Sequence, residues 1–429
     1  VSIALRTLRP VAALQPSVTP LRGPTGTISP EHVDVRSVQY LPRPDQDRWV
    51  WEGRWLQSEF PVDLPEEHTA WLWVTFHVPT AAAPGLYAGE LRFTDAQGNT
   101  VALPVRLGVL DLPLEPAEGS YGFYIPGHLI TDDRDGIRNF ATEYLTAEKL
   151  PAYFGFWRTR GLTSPTLYHI YPELQCIDGH AVARFPQLRE FVRAVQQAGL
   201  TGDLCLDLRF LEFWSNTAGT ELQRLKDAGE EVPHDLGVAI GDGRPMMEPP
   251  AESKRLFREL VEQLVSTARS EGWPRVLLIA DEEVSNTAQK SATYDQYMPV
   301  ILDVAPDNAL LVDNAIGYGR PDAIDRGCRD SIAFRQYNNW TEEGVECTRE
   351  DGDVLRTFNH GWYRSSWGFF QQRMGSTGNH QWADQWFSTP ERDWVNTLIT
   401  DEGVVTRPRI ERVREGLTDL AYCQMLERL

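Results

Sequence analysis

Apolar and polar positions alternate in two different rhythms along this chain, and the change falls near Pro116. Upstream, residues 71–78 form a β-rich run that stops at Pro79. A Pro84-Gly85 turn then leads into the alternating run 86–93, and Gln97, Gly98 and Asn99 turn the chain into 101–109. Short strands set off by Gly and Pro at this spacing predict a β-sandwich over residues 1–116. Pro104 has no N–H to give a neighbouring strand, which assigns it to an edge or a bulge. Residues 112–116, with Pro113 and Pro116, read as a stiff linker.

Downstream, strand-like runs alternate with helical ones. The strand candidates are 121–125, 166–170, 204–208, 276–280, 309–313, 331–334 and 354–358. Helical periodicity marks 138–149, then 186–198 with Leu188, Phe191, Val192 and Val195 on one face. It is clearest over 254–268, where Leu256, Leu260, Val261, Leu264 and Val265 fall together. Such alternation predicts parallel strands joined by right-handed crossovers. Seven or eight units over residues 117–402 fit an α/β fold of the (β/α)8 barrel type, its last unit indistinct. Residues 403–429 are expected to form a helix packed on that barrel. A doubly wound sheet is the alternative, but no Gly-rich phosphate loop marks the first turn.

One segment joins the fold to chemistry. Residues 276–280 are wholly apolar and run directly into Asp281, Glu282 and Glu283. Ionised groups are costly inside a buried strand, so the acids are expected where it emerges. In a parallel barrel that carboxyl end is where catalytic residues collect, and neighbouring acids there suggest glycoside hydrolysis. Both reach one site only if the strand ends or kinks, because successive side chains alternate faces. The plain alternative is that Asp281 caps the next helix while Glu282 is solvated.

Composition narrows the field. The 429 residues are 41% hydrophobic and 24% charged, ordinary for a globular chain. The formal charge is 41 − 61 = −20, with no basic block, which argues against nucleic acid and anionic membrane surfaces as partners. No run of about eighteen apolar residues is present to span a membrane. Many of the 14 Trp residues lie in polar segments, suited to stacking on sugar faces as well as to filling cores. The five cysteines (Cys176, Cys205, Cys328, Cys347 and Cys423) show no metal-like spacing. Cys205, inside an apolar run, reads as a buried thiol. The chain begins at Val1 with no methionine or leader pattern, as a processed or trimmed form would. Secreted and cytoplasmic locations both stay open, as does the oligomeric state.

Several phrases carry a family likeness. Residues 72–79 and 83–89 resemble the β-sandwich that precedes family 123 glycoside hydrolases. Residues 409–422, with Arg409, Glu411, Arg414, Glu415, Gly416, Asp419 and Tyr422, resemble that group's closing helix. Residues 375–382 and Trp386 resemble its last-strand segment, a Gly-x-x-Gly before paired Trp residues. The resemblance implies a β-N-acetylhexosaminidase acting on N-acetylgalactosamine-containing glycans or glycoconjugates. It also implies substrate-assisted retaining hydrolysis, with Asp281 and Glu282 in the place of the family's neighbouring catalytic pair. One departure is visible: the family often has Pro after the pair, and this chain has Glu283.

In that scheme Glu282 is the general acid, and Asp281, ionised beside it, raises its pKa by like-charge repulsion. Asp281 also accepts the acetamido N–H. A two-carboxylate enzyme would need a second acid at a distant strand end; residues 354–362 offer none, and Asp313 is the best substitute. Its plain role is a capping Asp at a strand exit. Trp382 and Trp386 are candidates for a sugar-stacking wall, with packing beneath the rim as the alternative. Tyr337, Asn338, His360 and Tyr363 follow strand candidates, and the two phenols suit an acetamido oxygen. His169 and Tyr171 follow the second strand. No cofactor is implied and no compact metal motif is present, although Asp281, Glu282 and His360 include metal-ligating types. Three readings follow: a substrate-assisted exo-hexosaminidase, a conventional retaining glycosidase using Glu282 with Asp313 or another distant acid, and a non-catalytic carbohydrate-binding barrel.

Overall fold

The computed structural model describes residues 1–45, 48–127, 129, 145–168, 170, 172–208, 227–229, 251–284, 288–314, 332–338, 342–385, 395–400 and 403–429. It divides into two units. One comprises Val1–Glu115 with Val405–Glu411, the other Pro116–Val404 with Arg412–Leu429.

The first unit is built from antiparallel strands in two sheets. In one, Ser2–Arg6, Thr69–Phe76, Val33–Asp45 and Arg48–Gln57 lie side by side. The other centres on Gly85–Thr94, flanked by Val11–Val18 and Thr100–Val109. Alternation along each strand turns Leu72 and Val74 of one sheet, and Leu14, Leu91 and Phe93 of the other, into a shared core. Pro104 lies in the strand that branches off the second sheet, opposite Glu90, where its missing N–H is tolerated. Residues 403–429 do not act as one element. Thr406, at the end of strand Gly403–Thr406, pairs with Leu56 and so adds to the first sheet before helix Pro408–Arg428 begins.

The second unit is a closed barrel of eight parallel strands in chain order. These are Ser120–Pro126, Thr166–Tyr168, Leu204–Asp207, Val276–Ile279, Leu310–Asn314, Phe334–Asn338, Val354–Phe358 and Gly378–Gln381. Bridges Leu278 to Ala309 and Glu282 to Val312 close the ring between the fourth and fifth strands. Closure excludes the doubly wound alternative. The helix Pro186–Ala198 shows how the outer layer forms. Pro186 sits at its first turn, Leu188, Phe191, Val192 and Val195 are buried, and Gly199 ends it at φ 70°.

Two boundaries differ from expectation. Helix Leu150–Thr159 begins where residues 138–149 had been expected to end one; 145–149 are not helical, and 130–144 lie outside the described residues. The sixth strand begins at Phe334 rather than ending there. Its interior positions Gln336 and Asn338 are polar, and its outward Arg335 is fully buried against Asp351 and Asp353, so no apolar run advertises it. The eighth strand, Gly-Asn-His-Gln, was indistinct for the same reason.

Candidate active site

Strand alternation sorts the barrel residues into inward and outward sets. Tyr124, Tyr168, Cys205, Leu277, Ile279, Leu310, Val312, Phe334 and Phe358 share one interior cluster, with Trp382 packed against it. At the amino-terminal end of the barrel a charged network replaces apolar packing. Arg275 holds Asp203 through two bonds of 2.6 and 3.0 Å, Arg356 pairs with the same carboxylate, and the Ser120 hydroxyl donates to it at 2.9 Å. Both guanidinium groups lie over the Phe334 ring, at 4.6 and 5.1 Å. Above this layer His380 bonds Gln336 through Nδ1 at 2.9 Å, and Gln336 Nε2 donates to the Tyr124 hydroxyl at 3.2 Å. Burial holds His380 down to about 3, so its ring stays neutral.

Glu282 stands at the opposite, carboxyl-terminal end. Between the two bridges the fourth strand advances four residues, from Leu278 to Glu282, while the fifth advances three, from Ala309 to Val312. That extra residue is a bulge, and it reverses the side-chain parity. Leu278 faces outward, yet Glu282 shares the interior face of Val312. Glu283 then adopts φ 49°, turning the chain away from the strand direction. The strand therefore kinks where the acids stand.

Glu282 is 7% exposed, and its Oε2 has no hydrogen-bond partner among the described residues. Its pKa is pushed up to about 8, first by burial and then by the negative charge of Asp207, with Glu283 adding to both. Lys290 and a hydrogen bond with Tyr168 oppose the rise. Lys290 is held nearby, its Nζ donating to the Glu282 carbonyl at 2.7 Å and lying 4.0 Å from the Glu283 carboxylate. Tyr124 and Tyr168 lie with ring centroids 6.1 Å apart, and Trp382 sits 5.6 and 4.9 Å from them. Burial and the neighbouring Glu282 hold the Tyr124 phenol well above its usual range, so it remains a neutral O–H.

Asp281 occupies a different position from its neighbour. It is half-buried, and its Oδ1 accepts the backbone N–H of Glu282 at 2.8 Å. The negative charges of Asp207 and then Glu283 raise the Glu282 carboxyl, a contribution from outside the neighbouring pair that the sequence did not suggest. Asp207, ending the third strand, was not among the candidates. The signal was there: residues 204–206 repeat on a smaller scale the pattern of an apolar strand running into an acid.

The remaining candidates scatter. Asp313 and Tyr337 are register partners on the outward face of their strands. Tyr337 packs there with Val345, Leu355 and Met374, against the helical layer. Alternation separates both from Glu282, so neither Asp313 as a second carboxylate nor Tyr337 as an acetamide donor has the expected orientation. His360 stacks on Phe370 at 4.9 Å, and burial lowers its pKa to about 4. Asn338 faces inward, but its amide reaches Glu283 Oε1 at 3.5 Å. Tyr363 is 64% exposed, just ahead of the short helix Arg364–Trp367. His169, Tyr171 and Trp386 lie outside the described residues. Among the described residues no group of three His, Cys, Asp or Glu side chains is placed to hold a metal ion. No helix among them is long and apolar enough to cross a membrane.

A β-sandwich followed by a (β/α)8 barrel is a fold found among glycoside hydrolases. The chain shares this fold with a family 123 glycoside hydrolase from Clostridium perfringens, described in connection with glycolipid glycan hydrolysis. The superposition has a TM-score of 0.71 at 12% identity and covers 100% of this chain and 82% of that one. A family 39 glycoside hydrolase from Bacteroides cellulosilyticus WH2 aligns with a TM-score of 0.42 at 14% identity, over 90% of this chain and 78% of the other. No protein-family model and no curated protein sequence matches the chain.

Proposed function

We propose that this protein is a glycoside hydrolase, and specifically an exo-acting β-N-acetylhexosaminidase that works by substrate-assisted retention. The observation that carries the reading is Glu282: a buried carboxyl on the interior face at the carboxyl end of the barrel, its pKa pushed up to about 8 and one oxygen without a partner among the described residues. A glycosidic oxygen leaves readily only when protonated as its bond breaks, and an acid whose pKa lies near the working pH supplies that proton best. Tyr124, Tyr168 and Trp382 provide an aromatic surface of the kind that stacks on apolar sugar faces. The fold shared with a family 123 enzyme agrees with this assignment.

In the reaction, Glu282 protonates the leaving oxygen while the substrate's acetamido oxygen attacks the anomeric carbon. Asp281, its carboxylate anchored by the Glu282 N–H, accepts the acetamido N–H and stabilises the positive charge that develops there. Glu282, now a carboxylate, removes a proton from the water that opens the oxazolinium-like intermediate, and configuration is retained. The outward orientation of Asp313 removes support for pairing it with Glu282 in a conventional two-carboxylate route.

A panel of aryl β-glycosides differing at the acetamido and C4 positions tests the reading, together with a thiazoline inhibitor. Turnover confined to acetamido sugars, with inhibition by the thiazoline, is the expected result. Turnover of sugars without the acetamido group, unaffected by the thiazoline, contradicts substrate assistance. Glycan binding with no product from the parent chain would favour the non-catalytic barrel.

A further inference from the structure

We propose that Asp207 and Glu282 act as a carboxylate pair holding a single proton at the carboxyl end of the barrel. In this arrangement Asp207 is the positioning residue that keeps the proton on Glu282. The proposal deepens the glycosidase reading and rests on it for the reaction, though not for the protonation itself.

The third and fourth strands are neighbours in register, with Asp207 paired to Ile279. Asp207 follows Cys205 on the same face, so its side chain points into the barrel. The bulge before Glu282 brings that carboxyl to the same interior, three residues beyond Ile279. The two acids are 1% and 7% exposed, so little water stands between them to screen their charges.

Among the described residues, groups from each adjoining element face the pair. Tyr124 belongs to the first strand, its phenol held well above its usual range by burial, and Tyr168, which hydrogen-bonds Glu282, to the second; Cys205 lies one turn of the pleat below Asp207. Burial raises the Cys205 thiol to about 11, so it carries no charge near neutrality. Glu283 and Lys290 follow the fourth strand. Lys290 is shared between the Glu282 carbonyl and the Glu283 carboxylate, which leaves its charge only partly available to Glu282. Two anions in this setting repel strongly, and one proton between them relieves the repulsion.

Such a pair explains both roles asked of Glu282. Before cleavage Asp207 keeps the acid loaded. Once Glu282 has given its proton to the leaving oxygen, two carboxylates face each other, and Glu282 becomes a strong acceptor for the proton of the incoming water. The proton count balances over the cycle, one given and one recovered, and Asp207 touches neither sugar nor water.

The test is a pH titration of the full chain labelled with carbon-13 at the glutamate carboxyls, with Glu282→Gln assigning the resonance. The expected parent midpoint for Glu282 is near pH 8. In Asp207→Asn it falls by about one pH unit or more. The basic limb of the kcat/KM profile should fall with it, which loss of packing alone would not produce. An unmoved midpoint in a folded Asp207→Asn overturns the pair. Should that variant not fold, the parent decides: Glu282 responding to two separated protonation steps supports the pair, and one step in the ordinary carboxylate range overturns it. A raised, Asp207-dependent titration in a chain with no hydrolytic activity sinks the glycosidase reading and leaves the pair. Hydrolysis with an Asp207-independent titration sinks the pair alone.

Discussion

Glu282 bridges to Val312 across the fourth and fifth barrel strands, and this pairing sets its carboxyl on the barrel's interior face. Without the single-residue bulge behind it, alternation would turn the acid into the helical layer. The cost is a buried carboxyl with one oxygen unpartnered among the described residues, which a fold retains only where something is gained. Its protonated state removes much of that cost.

Stability should therefore depend on pH through Glu282. The folded chain keeps this proton up to about pH 8, while the unfolded chain releases it near 4.5. Between those values the folded state binds more protons. The stabilising contribution is complete below 4.5 and is lost as pH rises through 8. Glu282→Gln, which cannot ionise, should melt above the parent by about a few degrees at pH 9, with the gap closing toward pH 5. Calorimetry across that range checks it; parallel curves would place the proton elsewhere.

At the other end of the barrel, Asp203 neutralises Arg356, which is 1% exposed, and half-exposed Arg275. Asp203→Ala leaves a buried guanidinium without its carboxylate and should destabilise the chain by about 3–5 kcal/mol. Urea denaturation measures this. A change under about 1 kcal/mol would mean that Arg356 finds other compensation.

Trp382 joins Tyr124 and Tyr168 at the carboxyl end. Trp382→Ala should lower kcat/KM by about ten- to a hundredfold, for a lost stacking surface of about 1–3 kcal/mol, and Trp382→Phe should recover part of it. Equal losses in both variants would point to the indole N–H or to misfolding instead of stacking.

The outward-facing candidates make a complementary test. Tyr337→Phe keeps the ring packed with Val345, Leu355 and Met374 and removes only the hydroxyl. Its kcat/KM on acetamido sugars should stay within about threefold of the parent, less than the loss of a transition-state hydrogen bond. A drop of a hundredfold or more would return Tyr337 to the substrate.

How much of this was legible in the sequence depended on what each strand carries inside. Strands three to five are apolar on both faces, so residues 204–206, 276–279 and 310–312 announced themselves, and Asp281 and Glu282 stood out at the end of one of them. Strands six and eight place Gln336, Asn338 and His380 inward, satisfied by hydrogen bonds that no hydrophobic period reveals. The roles given to Asp313 and Tyr337 assumed that any polar residue at a strand exit faces the site. Alternation decides the face, and it needs the register, which emerges only when the barrel closes. Asp207 was overlooked because it is a single acid rather than part of a cluster. Its influence on Glu282 comes from adjacency between strands more than seventy positions apart in sequence.

The most direct test of the central claim is hydrolysis of a disaccharide carrying a terminal β-linked N-acetylhexosamine, compared with an activated aryl glycoside. Glu282→Gln should slow disaccharide cleavage by about 10²–10⁴-fold, with a much smaller loss on the aryl substrate, whose leaving group needs little protonation. A folded Glu282→Gln that cleaves the disaccharide at close to the parent rate contradicts the assignment of Glu282 as the acid.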